Sequence, residues 1–148
     1  MCTKSLTAMT QVRDIMQKNV ISTDLDKTAL DVSIILKEKE ISFIVIMKEG
    51  KPIGIVSERD IVRKIAAKNI TASSIPIAEI MSKKFKWVEQ DASIEFAIQK
   101  MFNNNIRRLL VLENESLVGV ITQTDLAECL RSKLLINATM DNIESEKT

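Results

Sequence analysis

The 148-residue chain has no histidine and no tyrosine, and it holds three glycines, two prolines and two cysteines. Without histidine, no Ser-His-Asp triad, Cys-His dyad or histidine metal site can be built from this chain alone. Two cysteines cannot form a four-thiolate zinc site. Three glycines leave no room for a P-loop or a G-x-G-x-x-G fingerprint. A formal net charge of +1 gives no global field that would draw the chain to nucleic acid or to an acidic membrane. No apolar run approaches the length that spans a bilayer, and the polar stretch Met1 to Thr10 lacks the apolar region of a secretory signal. Cys2 and Cys129 stand at opposite ends, Cys129 inside an apolar helical pattern, and read as two reduced thiols. The expected location is cytoplasmic. What is present, 45% hydrophobic and 28% charged residues, is the composition of a globular protein with a real core. Catalysis loses most of its usual means, and binding remains.

The chain is an internal duplication. Val12-Arg13-Asp14-Ile15-Met16 aligns with Ile77-Ala78-Glu79-Ile80-Met81 at an offset of 65. Without a gap, the same offset carries Asp26 onto Asp91, Ile41 onto Ile106, Gly54 onto Gly119 and Asp60 onto Asp125. Each copy reads as one string of elements. A helical turn around Ile15-Met16 (Ile80-Met81) leads into an extended stretch, Val20 to Thr23 or Phe85 to Val88. A helix follows, started by the capping box Thr28/Asp31 and by Ser93 in the second copy. Its apolar face is Ala29, Val32, Ile35 and Leu36, or Ile94, Ala97, Ile98, Met101 and Phe102. Two apolar strands come next, joined by polar turns at Lys48 to Lys51 and Glu113 to Ser116. A closing helix carries Ile61, Val62, Ile65 and Ala66, or Leu126, Cys129, Leu130 and Leu134. The order is β-α-β-β-α, twice, and the expected class is mixed α/β (α+β). About 55 residues make a small core, so the copies are expected to share an interface. The expected divisions are an N-terminal segment 1–11, repeat 12–67, linker 68–76, repeat 77–133 and tail 134–148, frayed from Asp141.

Both copies end their second strand on the same pattern, Gly54-Ile55-Val56-Ser57-Glu58-Arg59-Asp60 and Gly119-Val120-Ile121-Thr122-Gln123-Thr124-Asp125. Ser57 and Thr122 make good helix N-caps, with Asp60 and Asp125 completing capping boxes. The glycines ask for more. Glycine inside a strand costs stability and marks the close approach of a ligand or of another backbone. A helix start offers N–H groups to phosphate, a hydroxyl adds a hydrogen bond, and a carboxylate one turn on can accept two from a ribose diol. The matched Met16 and Met81 read as core.

This duplicated unit, ending Gly-apolar-apolar-Ser/Thr-x-x-Asp, resembles the CBS domain (cystathionine β-synthase domain) in a tandem pair of the Bateman-module type. The resemblance runs from Val12 to Lys133 and includes the Ile-Met lead-in and Ile106-Arg107-Arg108-Leu109-Leu110-Val111. It implies a pseudo-two-fold pair with clefts between the copies that bind AMP, ADP, ATP or S-adenosylmethionine, and a homodimer. The aspartate would hold the ribose hydroxyls, and the Ser or Thr would lie against phosphate or ribose. One cleft would join Ile21, Ser22 and Thr23 with Arg107, Arg108, Gly119, Val120, Ile121, Thr122 and Asp125. The other would join Lys86, Trp87 and Val88 with Gly54, Ser57, Arg59 and Asp60. Arg107 and Arg108 suit phosphate by geometry, whereas their counterparts Ser42 and Phe43 do not, so the Asp125 cleft is expected to be the better site.

The expected function is a standalone, non-enzymatic regulatory module that relays an adenosyl ligand to an unidentified protein. Two other readings stay open. One is a structural dimerisation module with empty clefts. The other is nucleic-acid binding by Lys83, Lys84, Lys86 and Trp87, against which stand the near-zero net charge and five aromatic residues. A solvated turn followed by a cleft-lining strand is the ordinary account of that cluster.

Overall fold

The computed structural model describes the backbone of residues 10–146 and the side chains of residues 10–134. Cys2 and most of the N-terminal segment lie outside these residues. The elements are α1 (Val12–Ile15), β1 (Ser22–Asp24), α2 (Ala29–Lys39), β2 (Phe43–Lys48), β3 (Lys51–Ser57), α3 (Glu58–Lys64), β4 (Trp87–Glu89), α4 (Ile94–Asn104), β5 (Arg108–Glu113), β6 (Ser116–Thr122) and α5 (Gln123–Glu146). They form two three-stranded sheets, ordered β1-β2-β3 and β4-β5-β6, with the first pair of each parallel. The fold is mixed α+β, and the β-α-β-β-α order holds in both copies.

Local chemistry accounts for the elements. Thr28 caps α2 by accepting from Asp31 N, and Ser93 caps α4 by accepting from Phe96 N. Both helices stop on a left-handed residue, Glu40 (φ 53°) and Asn105 (φ 51°). The β2–β3 turn places Glu49 and Gly50 at positive φ, and the β5–β6 turn does the same with Asn114 and Glu115. Two consecutive positive-φ residues match the twist of a hairpin.

The chain divides into two compact units that are not the sequence repeats. The first joins the chain up to Lys18 with Lys86–Asn114 and the chain from Val118 onward. The second is Asn19–Phe85 with Glu115–Leu117. Each copy's lead-in therefore packs on the core of the other copy. Val12 is buried with Val88, Ile94, Leu109, Val111 and Ile121, whereas Ile77 and Ile80 are buried with Ala29, Val32, Ile44, Ile46 and Val56. The hydrogen bonds repeat at the offset. Val12 N donates to Ala92 O and Ile77 N to Lys27 O, at 2.8 and 2.9 Å. Gln17 exchanges two main-chain bonds with Val120 at 2.9 and 3.0 Å, and Ser82 exchanges two with Ile55 at 2.8 and 3.0 Å. The linker is tied down too, with Ile75 O accepting from Ala29 N at 2.8 Å.

This crossing explains the paired glycines. A Cβ on Gly119 would lie 2.7 Å from Met16 Sδ and 2.9 Å from Gln17 O. On Gly54 it would lie 2.7 Å from Met81 Sδ and 3.2 Å from Ser82 O. The close neighbour in both cases is a lead-in segment, and Met16 and Met81 pack partly buried against the two cores.

Several expectations on the helices need correction. Phe102 is 81% exposed, because Ile94, Ala97 and Met101 already form the buried stripe of α4 and Phe102 falls beside it. Val62, Leu130 and Leu134 are also on the surface, at 58%, 46% and 68%, while Ile65, Leu126 and Cys129 take the inner positions. Nor does α5 fray at Asp141. It runs to Glu146, through a stretch with no glycine or proline to stop it. Among the described residues no helix is long and apolar enough to cross a membrane.

Two outcomes follow from this packing. Gly119→Ala should lose about 1–3 kcal/mol of stability, because main-chain oxygen cannot swing aside, and Gly54→Ala should lose less. Urea unfolding of both variants checks the order, and equal losses would contradict it. The second concerns pH. The Thr28 main-chain N–H, donating at 2.9 Å, and then the Thr28 side chain hold the Asp31 carboxyl below its usual range. A carboxyl lowered in the folded state contributes stability that is complete above its unfolded pKa and lost as pH falls through the folded value. Asp31→Asn should therefore flatten the decline of the urea midpoint below about pH 4.

Candidate functional site

Helices α3 and α5 begin alike, each directly off the end of a strand. Ser57 Oγ accepts from Asp60 N at 3.2 Å, and Asp60 Oδ2 accepts from Ser57 N at 2.9 Å. In the other copy Thr122 Oγ1 accepts from Asp125 N at 3.2 Å, and Asp125 Oδ2 accepts from Thr122 N at 2.9 Å. Both expected hydroxyl–carboxylate pairs are thus capping boxes, and the first helical N–H is tied as well. Glu58 N donates to Ser42 O, and Gln123 N donates to Arg107 O, each at 2.9 Å. The Arg107 main chain is in this way fastened to the start of α5. Its side chain is exposed, and that of Arg108 is half-buried.

A capping carboxylate still has room for other donors, since it offers about four acceptor positions. The two copies fill them differently. Asp60 Oδ1 lies 3.0 Å from Lys64 Nζ, one turn along α3, and the same ammonium donates to Ile80 O at 2.8 Å. Asp125 instead accepts from Gln17 Nε2, at 3.2 Å on Oδ1 and 3.3 Å on Oδ2. Each acid therefore connects its helix to the lead-in segment, through a lysine in one unit and a glutamine in the other. Sequence reasoning missed Gln17 and Lys64. Their signal lay in the alignment of the copies, where Gln17 meets Ser82 and Lys64 meets Cys129.

The first unit contains Lys86, Trp87, Val88, Arg107, Arg108, Gly119, Val120, Ile121, Thr122 and Asp125; the second contains Ile21, Ser22, Thr23, Gly54, Ser57, Arg59 and Asp60. Each cleft expected from the sequence thus draws on residues of both units. Within the units, Val88, Val120 and Ile121 are buried, so their side chains serve the core. Ile21 O accepts from Val45 N, and Lys86 O from Leu110 N, as matched strand starts. Arg59 is exposed on the first turn of α3. Trp87 is 43% exposed, with Lys100 Nζ 5.5 Å from its ring centroid and donating to Trp87 O at 2.6 Å. The basic cluster divides between the units, Lys83 and Lys84 in the second and Lys86 and Trp87 in the first.

Comparison with known proteins agrees with this architecture. The CBS domain family matches residues 12–67 and 77–132. Protein MK0525 of Methanopyrus kandleri is 31% identical over 119 residues, which are 79% of this chain and 61% of that protein, so the chain spans less than two thirds of that relative. The CBS domain-containing protein YhcV of Bacillus subtilis is 26% identical over 138 residues, 93% of this chain and 98% of that one. The solved CBS domain pair of protein MJ0100, in complex with 5′-methylthioadenosine and S-adenosyl-L-methionine, superposes with a TM-score of 0.75 at 27% identity. The match covers 85% of this chain and 99% of that one. A CBS-domain protein from Burkholderia ambifaria gives a TM-score of 0.74 at 25% identity, over 82% and 93% of the two chains.

The caps can be tested apart from any ligand. Thr122→Ala should lower stability by about 0.5–2 kcal/mol, and Thr122→Ser should restore most of the loss. Urea midpoints report both, and an unchanged midpoint in the alanine variant would contradict the capping role.

Proposed function

This chain belongs to the CBS domain family, carrying two such domains in tandem, and we propose that it is a regulatory module that binds an adenosyl ligand at the start of α5. The observation that carries the reading is the group assembled there. Thr122 and Asp125 stand one turn apart, Arg107 is fastened to the same helix start, and Arg108 follows it at the head of β5. A ribose diol donates to the Asp125 carboxylate, and the guanidinium groups take phosphate or another anionic group of the ligand. The MJ0100 pair, solved with two adenosyl compounds, supports this ligand class. AMP, ADP, ATP and S-adenosylmethionine are its candidates.

The two motifs are unequal in this reading. Lys64 already neutralises Asp60, whereas the donor that reaches Asp125 from the lead-in is the neutral amide of Gln17. A diol can exchange with an amide more readily than with an ammonium, because hydrogen bonds between charged partners are the stronger. Asp125 is therefore the preferred acid. Exchange at Asp125 also releases Gln17, which gives ligand binding a mechanical consequence for the lead-in segment and a route to a partner protein. Absence of histidine and the use of the best-placed acids as helix caps support binding over catalysis.

A thermal-shift panel of AMP, ADP, ATP, S-adenosylmethionine and NAD, followed by calorimetric titration of the best ligand, tests the proposal. A ligand that binds only the folded chain raises its Tm. Asp125→Ala should weaken affinity about tenfold or more, and Asp60→Ala should leave it nearly unchanged. A flat panel would favour a structural dimerisation module instead, and the reverse order of the two variants would reject the ranking of the sites.

A further inference from the structure

The two units differ at one place that their common register makes easy to find. In the second unit the Lys64 ammonium stands between the Asp60 carboxylate, at 3.0 Å, and the Ile80 carbonyl, at 2.8 Å. The offset of 65 turns Asp60 into Asp125, Ile80 into Ile15 and Lys64 into Cys129. All three counterparts line a single cavity of about 490 Å³ in the first unit, joined by Glu128, Arg131 and Ser132 from the next turns of α5. The volume falls within the roughly 300–1,000 Å³ of small-molecule sites. The cavity thus lies where the lysine side chain of the other unit runs, with the carboxylate conserved between the copies and the cation replaced by a short thiol.

Charge points the same way. Asp125 and Glu128 against Arg131 leave the cavity wall one negative charge in excess, whereas the second unit's counterparts Asp60, Arg63, Lys64 and Ala66 leave one positive charge. A carboxylate in a partly enclosed wall attracts a cation more strongly than one in open water. Gln17 Nε2, 3.2 and 3.3 Å from the two Asp125 oxygens, shows that this carboxylate accepts from a nitrogen donor.

We propose that the first unit binds a small primary ammonium, such as a monoalkylamine or one end of a diamine, in this cavity. Its nitrogen takes the place beside Asp125 and Ile15 that Lys64 Nζ holds beside Asp60 and Ile80. Glu128 adds the second negative charge. The site needs only groups of the first unit, and it shares the Asp125 carboxylate with the adenosyl reading, so an amine and a ribose diol exclude one another there. The amine test uses no adenosyl ligand and stands or falls separately.

Thermal unfolding of the full chain in methylammonium or 1,4-diaminobutane, against tetramethylammonium at matched ionic strength, is the test. Tetramethylammonium carries the charge and has no N–H to donate. Near saturation the primary amines should raise Tm by about 2–4 °C over that control. Cys129→Lys should raise Tm without amine and abolish the amine response, because its own ammonium occupies the cavity. Should that variant fail to fold, Glu128→Gln, a change at an exposed position of α5, should weaken the amine response several-fold. Lys64→Ala opens the corresponding space in the second unit, and methylammonium should restore part of the stability it loses. Equal Tm shifts in tetramethylammonium and methylammonium would overturn the proposal. So would a full amine response in a folded Cys129→Lys or in Glu128→Gln.

Discussion

The main-chain exchange between Gln17 and Val120, and its counterpart between Ser82 and Ile55, lays each lead-in segment along the edge of a three-stranded sheet. Those bonds contribute about 0.5–1.5 kcal/mol apiece. The larger stabilisation comes from Val12 and Ile77, which the same segments bury completely, at roughly 1.5–3 kcal/mol each. Division of labour follows from the magnitudes. Apolar burial holds the lead-in to its core, and the paired backbone fixes where along β6 or β3 it lies. It also covers the outer edge of each sheet at that point, an edge that would otherwise be open to pairing with another chain. Because the backbone must come so near, the strand position beside the pairing residue admits no side chain, and a methionine fills the space over it.

The candidate site inherits its geometry from this arrangement. Each lead-in runs past the end of a strand at the point where a helix departs, so its last residues meet the first turn of that helix. Gln17 can reach Asp125 only because Gln17 is already held in register against Val120. In the other copy the lead-in supplies a carbonyl, Ile80 O, and the helix reaches out to it with Lys64. Both devices tie the acidic residue to the lead-in. An ion pair one turn apart on a helix contributes about 0.3–0.5 kcal/mol and a side-chain hydrogen bond about 0.5–1.5 kcal/mol, so neither tie is the source of the fold. Their weight lies in deciding which partners the carboxylates have left to accept.

Much of this was legible in the residues. A gapless register of Gly54 on Gly119 and Asp60 on Asp125 identifies the duplication, and Thr28 with Asp31 marks a helix start that the hydrogen bonds reproduce. The exchange of lead-ins was not legible, for a definite reason. Val12 and Ile77 are equivalent under the repeat, so the alignment is the same whichever core each one enters. Glycine inside a strand announced a close approach without naming what approaches, and the answer was the aligned methionine of the other copy's lead-in. Periodicity also overstated the helix faces. Phe102, Leu130 and Leu134 satisfy helical spacing, yet Met101, Leu126 and Cys129 already complete the buried stripes, and an apolar residue one step beyond a full stripe remains outside. The charges from Asp141 onward suggest a tail, but the same stretch holds no glycine or proline to stop a helix, and α5 continues to Glu146.

A duplicated chain carries its own control, since two copies of one backbone show which features the fold requires and which are free to change. Both copies keep the glycine, the methionine over it and the capping hydroxyl and carboxylate, and all of these take part in the contacts that close a core or start a helix. Conserved pairing between copies is therefore explained largely by folding, and it is weak ground for assigning function. The informative positions are the ones at which the copies part: Lys64 against Cys129, Ser82 against Gln17, Ser42 and Phe43 against Arg107 and Arg108. Every one of them lies around the start of α3 or α5. In the second unit the differences supply a cation to the acid and no guanidinium to the strand start. In the first unit they leave the acid a neutral partner and add two guanidinium groups to the strand start. Given the same cap on the same helix turn, divergence of that kind separates a copy whose capping carboxylate is paired with a cation from one whose carboxylate accepts from a neutral amide.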